Sequence, residues 1–347
     1  MPIAIDGSRR VGLGRLGSYR SAIRYRDIVA LQGPPLLGAV FALPDVTAGR
    51  FVELLVLAIA NLLLVAHIFV LNDWAGADAD LNDANKRADA FATKGLSRRG
   101  IGMLWLALLA LSLCLFAALG RRTLLFAVAI AILSALYSSP RTAGKSFPIL
   151  GSALHLAGGM LHFLLGAALF RPVDGAAIAV ASLCGLAFTA GHLTQEVRDF
   201  EGDRANGITT NAVVFGKRRT FIAGLAIFTA AYGQVVILAA VGIVPRWLTI
   251  LGFLFAAHVH WSLEALAEGL SFDSICRLQA RYRAIFAVIG VAILSTLLVS
   301  VATKVSANNG RMLEFSRGRG SLPPPPPLCP KPRELHPCLD RPGPSSA

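Results

Sequence analysis

Residues 72–87, NDWAGADADLNDANKR, carry four aspartates and two cations directly after one of the most apolar runs in the chain. A second acidic stretch, EVRDFEGDRANG at 196–207, follows another apolar run in the same way. Charged residues make up only 15% of the sequence against 55% hydrophobic, so two such gatherings are not background. Carboxylates at the ends of membrane-length segments are costly near lipid and by default mark a working site. On helical spacing, Asn72, Asp73, Asp80 and Asp83 share one face while Asp78 points elsewhere. Glu196, Asp199 and Asp203 share a narrower face, with Asp199 and Asp203 forming an i,i+4 like-charge pair. A divalent cation between them would relieve that repulsion.

Two aspartate clusters at one mouth of a helical bundle suit the holding of Mg²⁺ ions that bridge to a diphosphate, because magnesium takes one or two carboxylates together with phosphates and waters. The cations Lys86, Arg87, Lys94, Arg141, Lys145, Arg198 and Arg204 are placed to neutralise the remaining phosphate charge. An apolar bundle beneath them leaves room for a long hydrocarbon tail. The reading is a lipid diphosphate with its head at the metals and its tail along the helices.

The elements that must position these groups follow from the rest of the sequence. Mean hydropathy is +0.62 over 347 residues, and apolar runs long enough to span a bilayer recur along the chain. Spans are expected near 28–43, 51–71, 100–119, 122–139, 148–170, 174–193, 220–241, 247–266 and 284–303, an all-α polytopic membrane bundle of about nine transmembrane helices. In the first, Gln32-Gly-Pro-Pro35 interrupts the apolar run, as is tolerated where other groups satisfy the freed backbone.

With residues 1–27 cytoplasmic, alternate loops on that side hold 21 of the 33 Lys and Arg, and the opposite loops hold only Arg50, Arg121, Arg122, Arg171 and Arg246. The positive-inside rule then places both acidic clusters in the cytoplasm, with a bacterial inner membrane as the expected location. The same distribution, not a basic patch, accounts for the formal charge of +13, and nucleic acid is not an expected partner.

Three parts are expected: a basic arm at 1–27, suited to an anionic leaflet, the bundle at 28–303, and a proline-rich, disordered tail at 304–347. The cysteines at 114, 184, 276, 329 and 338 show no C-x-x-C spacing, so neither a zinc site nor a disulfide framework is indicated. No cleavable signal peptide is expected. His155 and His162 lie two turns apart on one helix face, a spacing open to a metal pair or to interhelical hydrogen bonds.

The sequence resembles the UbiA-type intramembrane prenyltransferases, which carry an N-D-x-x-D-x-x-x-D motif and a later D-x-x-x-D motif. The second is matched by Asp199-Phe-Glu-Gly-Asp203-Arg, with Gly207, Thr210 and Phe-Gly-Lys at 215–217 following. The first is matched at Asn72, Asp73 and Asp80, but Gly76 stands where the family has an aspartate. Tyr137 with Arg141 or Lys145 resembles the family's tyrosine-and-lysine element between the motifs, and Asn72-Asp-Trp and Tyr137-Ser-Ser-Pro look closest to the branch acting on chlorophyll-type and plastoquinone-type acceptors.

The resemblance implies transfer of a prenyl group from a polyprenyl diphosphate to an aromatic or other lipid-soluble acceptor in the membrane, with Mg²⁺ as cofactor. Asn72, Asp73, Asp80, Asp199 and Asp203 are the implied metal ligands, and Tyr137 and Glu196 the residues implied to act on the reacting groups. Gly76 leaves open a terpene cyclase on the same scaffold and an inactive lipid-binding relative, and acids in membrane segments leave open a cation-coupled transporter.

Overall fold

The computed structural model describes residues 28–318 apart from Ala30, Asp89 and 140–143. The expected arm at 1–27, Arg141 and most of the expected tail lie outside the described residues. Among those described there is no strand. The helices in chain order are α1 Gly33–Ala42, α2 Ala48–Ala75, α3 Ala77–Asn82, α4 Arg98–Leu119, α5 Arg121–Ser138, α6 Leu150–Ala167, α7 Gly175–Arg198, α8 Phe200–Ala205, α9 Asn211–Phe215, α10 Lys217–Ala240, α11 Leu254–Ala267 and α12 Phe272–Gly318, with a 3₁₀ stretch Arg246–Phe253 leading into α11. The compact unit that holds the site ends at Val305, and Ser306–Ala347 is a separate unit.

Among the described residues eight helices are long and apolar enough to cross a membrane: α2, α4, α5, α6, α7, α10, the continuous 3₁₀–α11 segment and α12. The chain is an integral membrane protein built as an all-α bundle. Its outer faces are apolar and exposed, as at Phe51, Leu55, Met103, Leu125, Ile132 and Ile237, and its interior is apolar too, with Phe116, Phe163, Leu57, Leu64 and Leu165 fully buried beside a few polar groups such as Asn61 and His67.

Local chemistry sets the helix starts. Thr47 accepts a hydrogen bond from the Arg50 amide, Ser97 from that of Gly100 and Asp174 from that of Ala177, each satisfying an amide left free in the first turn.

Two elements differ from the sequence expectation. The first expected span contains a helix of only ten residues, α1, with prolines in its opening turn. It packs on α6 at backbone contact. A Cβ on Gly38 would collide with the Phe163 carbonyl, and one on Gly166 with the Pro35 carbonyl. Here only glycine lets the two backbones meet. The last span begins at Phe272, not near 284: Ile275, Leu278 and Tyr282 of its added turns are buried in the core, and Arg277 and Arg281 on their outer side pair with Glu268 and Glu264.

Candidate active site

The carboxylates are set by two interruptions in long helices. Gly76 ends α2, and the chain restarts as the six-residue α3, capped at its C-terminus by Asp83. Asp199 likewise ends α7, and α8 carries Asp203. Both acidic segments are therefore short helices beyond the spans.

They pack against each other. Asn206 donates to the Ala79 carbonyl at 3.1 Å and accepts from Asn82 at 3.3 Å. Gly202 sits so close to Asp83 that a Cβ there would overlap the carboxylate. Asp83, which shares the helix face of Asn72, Asp73 and Asp80 in the sequence, is buried at this contact.

Cations occupy the seam between the segments. Lys86 Nζ is 2.9 Å from Asp199 Oδ2 and 3.8 Å from Asp83 Oδ2, spanning the two acidic stretches. Lys145 Nζ is 3.2 Å from Asp203 Oδ1. Arg198 forks onto Asp199 through Nε at 2.7 Å and Nη2 at 3.0 Å, and its Nη1 donates to Gln279 of α12 at 3.0 Å. The repulsion expected between Asp199 and Asp203 is thus countered by ammonium and guanidinium groups of the chain itself.

The remaining expected residues are placed as follows. Asn72, Asp73 and Asp80 are partly buried at the end of α2 and in α3, and a Cβ on Gly76 would lie 3.9 Å from Asp80 Oδ2. Lys94 is partly buried, Arg204 is exposed, and the exposed Arg87 turns back to the Leu81 carbonyl at 2.7 Å. Among the described residues no three His, Cys, Asp or Glu side chains converge closely enough to ligate one ion.

On the membrane side lies a second constellation. Glu196, one helical turn before Asp199, is buried, and its Oε1 accepts from Asn211 Nδ2 at 3.1 Å. Asn211 is itself oriented by the Ile149 amide, which donates to its Oδ1 at 2.8 Å. His192 stands one turn before Glu196 with Nε2 3.0 Å from Oε1. Its ring stacks on His155 with centroids 3.8 Å apart and planes at 9°, and Tyr137 meets both rings edge-on.

A Cβ on Gly151 would come within 3.1 Å of His192 Nε2, so α6 leaves this space open. His162, in contrast, bonds Asn61 at 3.2 Å, which separates it from His155. His192 and Asn211 were not singled out from sequence, although the spacing of His192 and Glu196 puts them on one face.

An apolar recess of about 240 Å³ lies between α2, α4 and α5, lined by His67, Leu71, Trp74, Trp105 and Ala135 among others.

The carboxyls of Asp199 and Asp203 shift in opposite directions. Burial alone would raise Asp199, but the hydrogen bonds and charges of Arg198 and Lys86 prevail and bring it down from 3.8 to about 2. For Asp203 burial prevails over Lys145 and Lys86, and the carboxyl lies above its ordinary value. The lowered Asp199 stabilises the fold above its unfolded pKa, and that contribution is lost as pH falls toward about 2. The raised Asp203 has the reverse sign, its contribution being lost as pH rises through its folded value. In detergent the thermal midpoint of the wild type is therefore expected to fall more steeply between pH ~4 and ~2 than that of Asp199→Asn. Parallel acid limbs in the two proteins would remove Asp199 from the network.

Residues 33–268 match the family model described as the UbiA prenyltransferase family. The chain is 30% identical over 271 residues to the lycopene elongase/hydratase of Haloferax volcanii, an alignment covering 77% of this chain and 85% of that protein. Among solved structures, a UbiA homolog from Archaeoglobus fulgidus bound to GPP and Mg²⁺ superimposes with a TM-score of 0.61 at 19% identity, over 80% of this chain and 99% of the homolog. The structure of a digeranylgeranylglyceryl phosphate synthase gives 0.61 at 17% identity, over 81% and 98%. These two likenesses are of fold.

Proposed function

Because the chain belongs to the UbiA prenyltransferase family, we propose that it transfers a prenyl group from a polyprenyl diphosphate to an unsaturated, lipid-soluble acceptor within the membrane. The observation that carries this reading is the seam between α3 and α8, where Asp83 of the first acidic stretch and Asp199 and Asp203 of the second meet around the chain's own cations.

Mg²⁺ fits the donor set. The oxygens of Asp83, Asp199 and Asp203 are hard ligands that already accommodate a positive charge between them, and Asn72, Asp73 and Asp80 adjoin on the α2 and α3 side. Magnesium needs only one or two protein carboxylates alongside phosphate and water, so three convergent side chains are not required. Bound there, Mg²⁺ supplies charge to the departing diphosphate. Lys86 and Lys145, released from their carboxylates, would turn to phosphate oxygens, with Lys94 and Arg198 as further cations of the site. Arg87 and Arg204 would act only as an outer field. The recess between α2, α4 and α5 is suited to hydrocarbon.

In this reading the catalytic unit is residues 28–303, while the arm at 1–27 and the tail at 304–347 take no part. The site faces the cytoplasm of a bacterial cell, as the 21 Lys and Arg on that side support. Tyr137 and Glu196 stand beneath the diphosphate head. For the acceptor, the relationship to a lycopene elongase/hydratase favours a polyene hydrocarbon, while the first-motif wording favours a quinol or chlorophyll-type ring.

The purified protein in detergent, given geranyl or geranylgeranyl diphosphate and Mg²⁺, is expected to release pyrophosphate, and EDTA to lower that release by ~100-fold or more. Mass spectra with a phenol, a naphthoquinol or lycopene present identify the acceptor. A product lacking acceptor mass would favour the cyclase. No release at any chain length would favour the inactive lipid-binding relative or the transporter.

A further inference from the structure

The buried pair His192 and Glu196 holds two polar atoms with nothing to bond. Glu196 Oε2 and His192 Nε2 are both sealed from solvent, and neither has a hydrogen-bond partner among the described residues. The backbone amides of Asn211 and Ala212, which open α9, also face this carboxylate. His192 Nε2 is near Oε1, yet that contact is not a hydrogen bond in this conformation. An unpaired buried oxygen of this kind is expensive to maintain for structure alone.

The rest of the constellation holds the pair in place. The parallel stack on His155 fixes the His192 ring plane, Tyr137 closes its edge, and Asn211 pins Oε1. What stays unpinned is Oε2. Glu196 precedes Asp199 by one turn of α7.

We infer that His192 is a positioning residue that holds Glu196 with Oε2 ready to take the proton lost by the acceptor. The role rests on the transferase reading above. In that reaction the prenyl C1–O bond breaks and its electron pair leaves with the diphosphate. A carbon–carbon bond forms from the acceptor's π electrons to C1, leaving the acceptor cationic. Its proton passes to Glu196 Oε2, and the acceptor's π system is restored. His192, beside Oε1, keeps the carboxylate turned to receive it.

A merely structural His–Glu contact would affect ionisation and transfer equally, so partition is the readout. With geranylgeranyl diphosphate, Mg²⁺ and whichever of a naphthoquinol or lycopene the wild type consumes, pyrophosphate and prenylated product are counted in the same reaction. For His192→Leu, pyrophosphate release is expected to stay within about threefold of wild type. Transferred product per pyrophosphate falls ~10-fold or more, and prenyl alcohol from water capture rises. His192→Gln, which keeps a nitrogen where Nε2 stood, should give an intermediate ratio, and it decides the matter should His192→Leu fail to fold. A ratio unchanged from wild type in the folded variants overturns the role of His192 while leaving the transferase intact. Pyrophosphate release by the wild type with neither acceptor prenylated overturns the role of Glu196 and His192 toward such acceptors, and absence of any release overturns the transferase reading and this role with it.

Discussion

Replacing Asp203 by alanine is expected to lower Mg²⁺-dependent pyrophosphate release by ~10²–10³-fold while the bundle stays folded, the size of effect seen when one preorganised group facing developing charge is removed. Asp203 is only 3% exposed, is held against Lys145 at 3.2 Å, and stands in the segment that packs on α3. Its removal takes away a hard oxygen and also leaves Lys145 without its anchor in the seam.

The adjacent Arg204→Ala, on an exposed residue of the same short helix, is expected to change the rate by no more than about threefold, as for other surface substitutions. Single-turnover release of pyrophosphate from geranylgeranyl diphosphate by the two variants separates these outcomes. Retention of a third or more of the wild-type rate by Asp203→Ala would move the ionisation site away from α8.

The second large effect is on the fold. Gly166→Leu is expected to abolish recovery of folded protein. Gly166→Ala should lower stability by ~1–3 kcal/mol or more, the usual cost of overpacking, since the added carbon meets the Pro35 carbonyl and no rotamer can avoid it. Gly158 supplies the control. It lies on the same helix with open space where a Cβ would go, so Gly158→Ala should be neutral or gain up to ~1 kcal/mol from helix propensity. Thermal midpoints in detergent compare the three. Equal midpoints for Gly166→Ala and Gly158→Ala would mean that α1 does not rest on α6 as described.

Much of this bundle is written in hydropathy, because eight of the helices must face lipid and so must be apolar along their length. The α1 segment shows where that signal stops. Gln32-Gly-Pro-Pro35 reads as a blemish in a span, yet it begins a half-length helix whose place depends on two glycines 128 residues apart, and hydropathy carries no information about such a pairing. The start of α12 was hidden for a different reason. Arg277 and Arg281 look like loop charges until Glu268 and Glu264 are seen to meet them.

In the site, carboxylate types and spacing mark the two segments, but helical spacing holds only where each segment is one regular helix. Gly76 and Asp199 end their helices, so Glu196 looks into the bundle while Asp199 and Asp203 look into the seam. His192 sits alone in its span, and nothing in its apolar neighbourhood marks it as part of a site. Its i,i+4 spacing to Glu196 was the available signal.

The way α3 and α8 clasp each other has a consequence for how such a protein can diverge. Asn206 to Ala79, Asn82 to Asn206 and Gly202 against Asp83 tie one six-residue helix to the other, across a seam that the long spans do not cross. The headpiece is thus a small module set on top of the bundle, with its own internal fastenings. Substitutions that widen, lengthen or block the hydrocarbon space between the spans can accumulate without disturbing it. A lineage built on this plan is free to exchange one lipid tail for another while leaving the chemistry of the leaving group untouched.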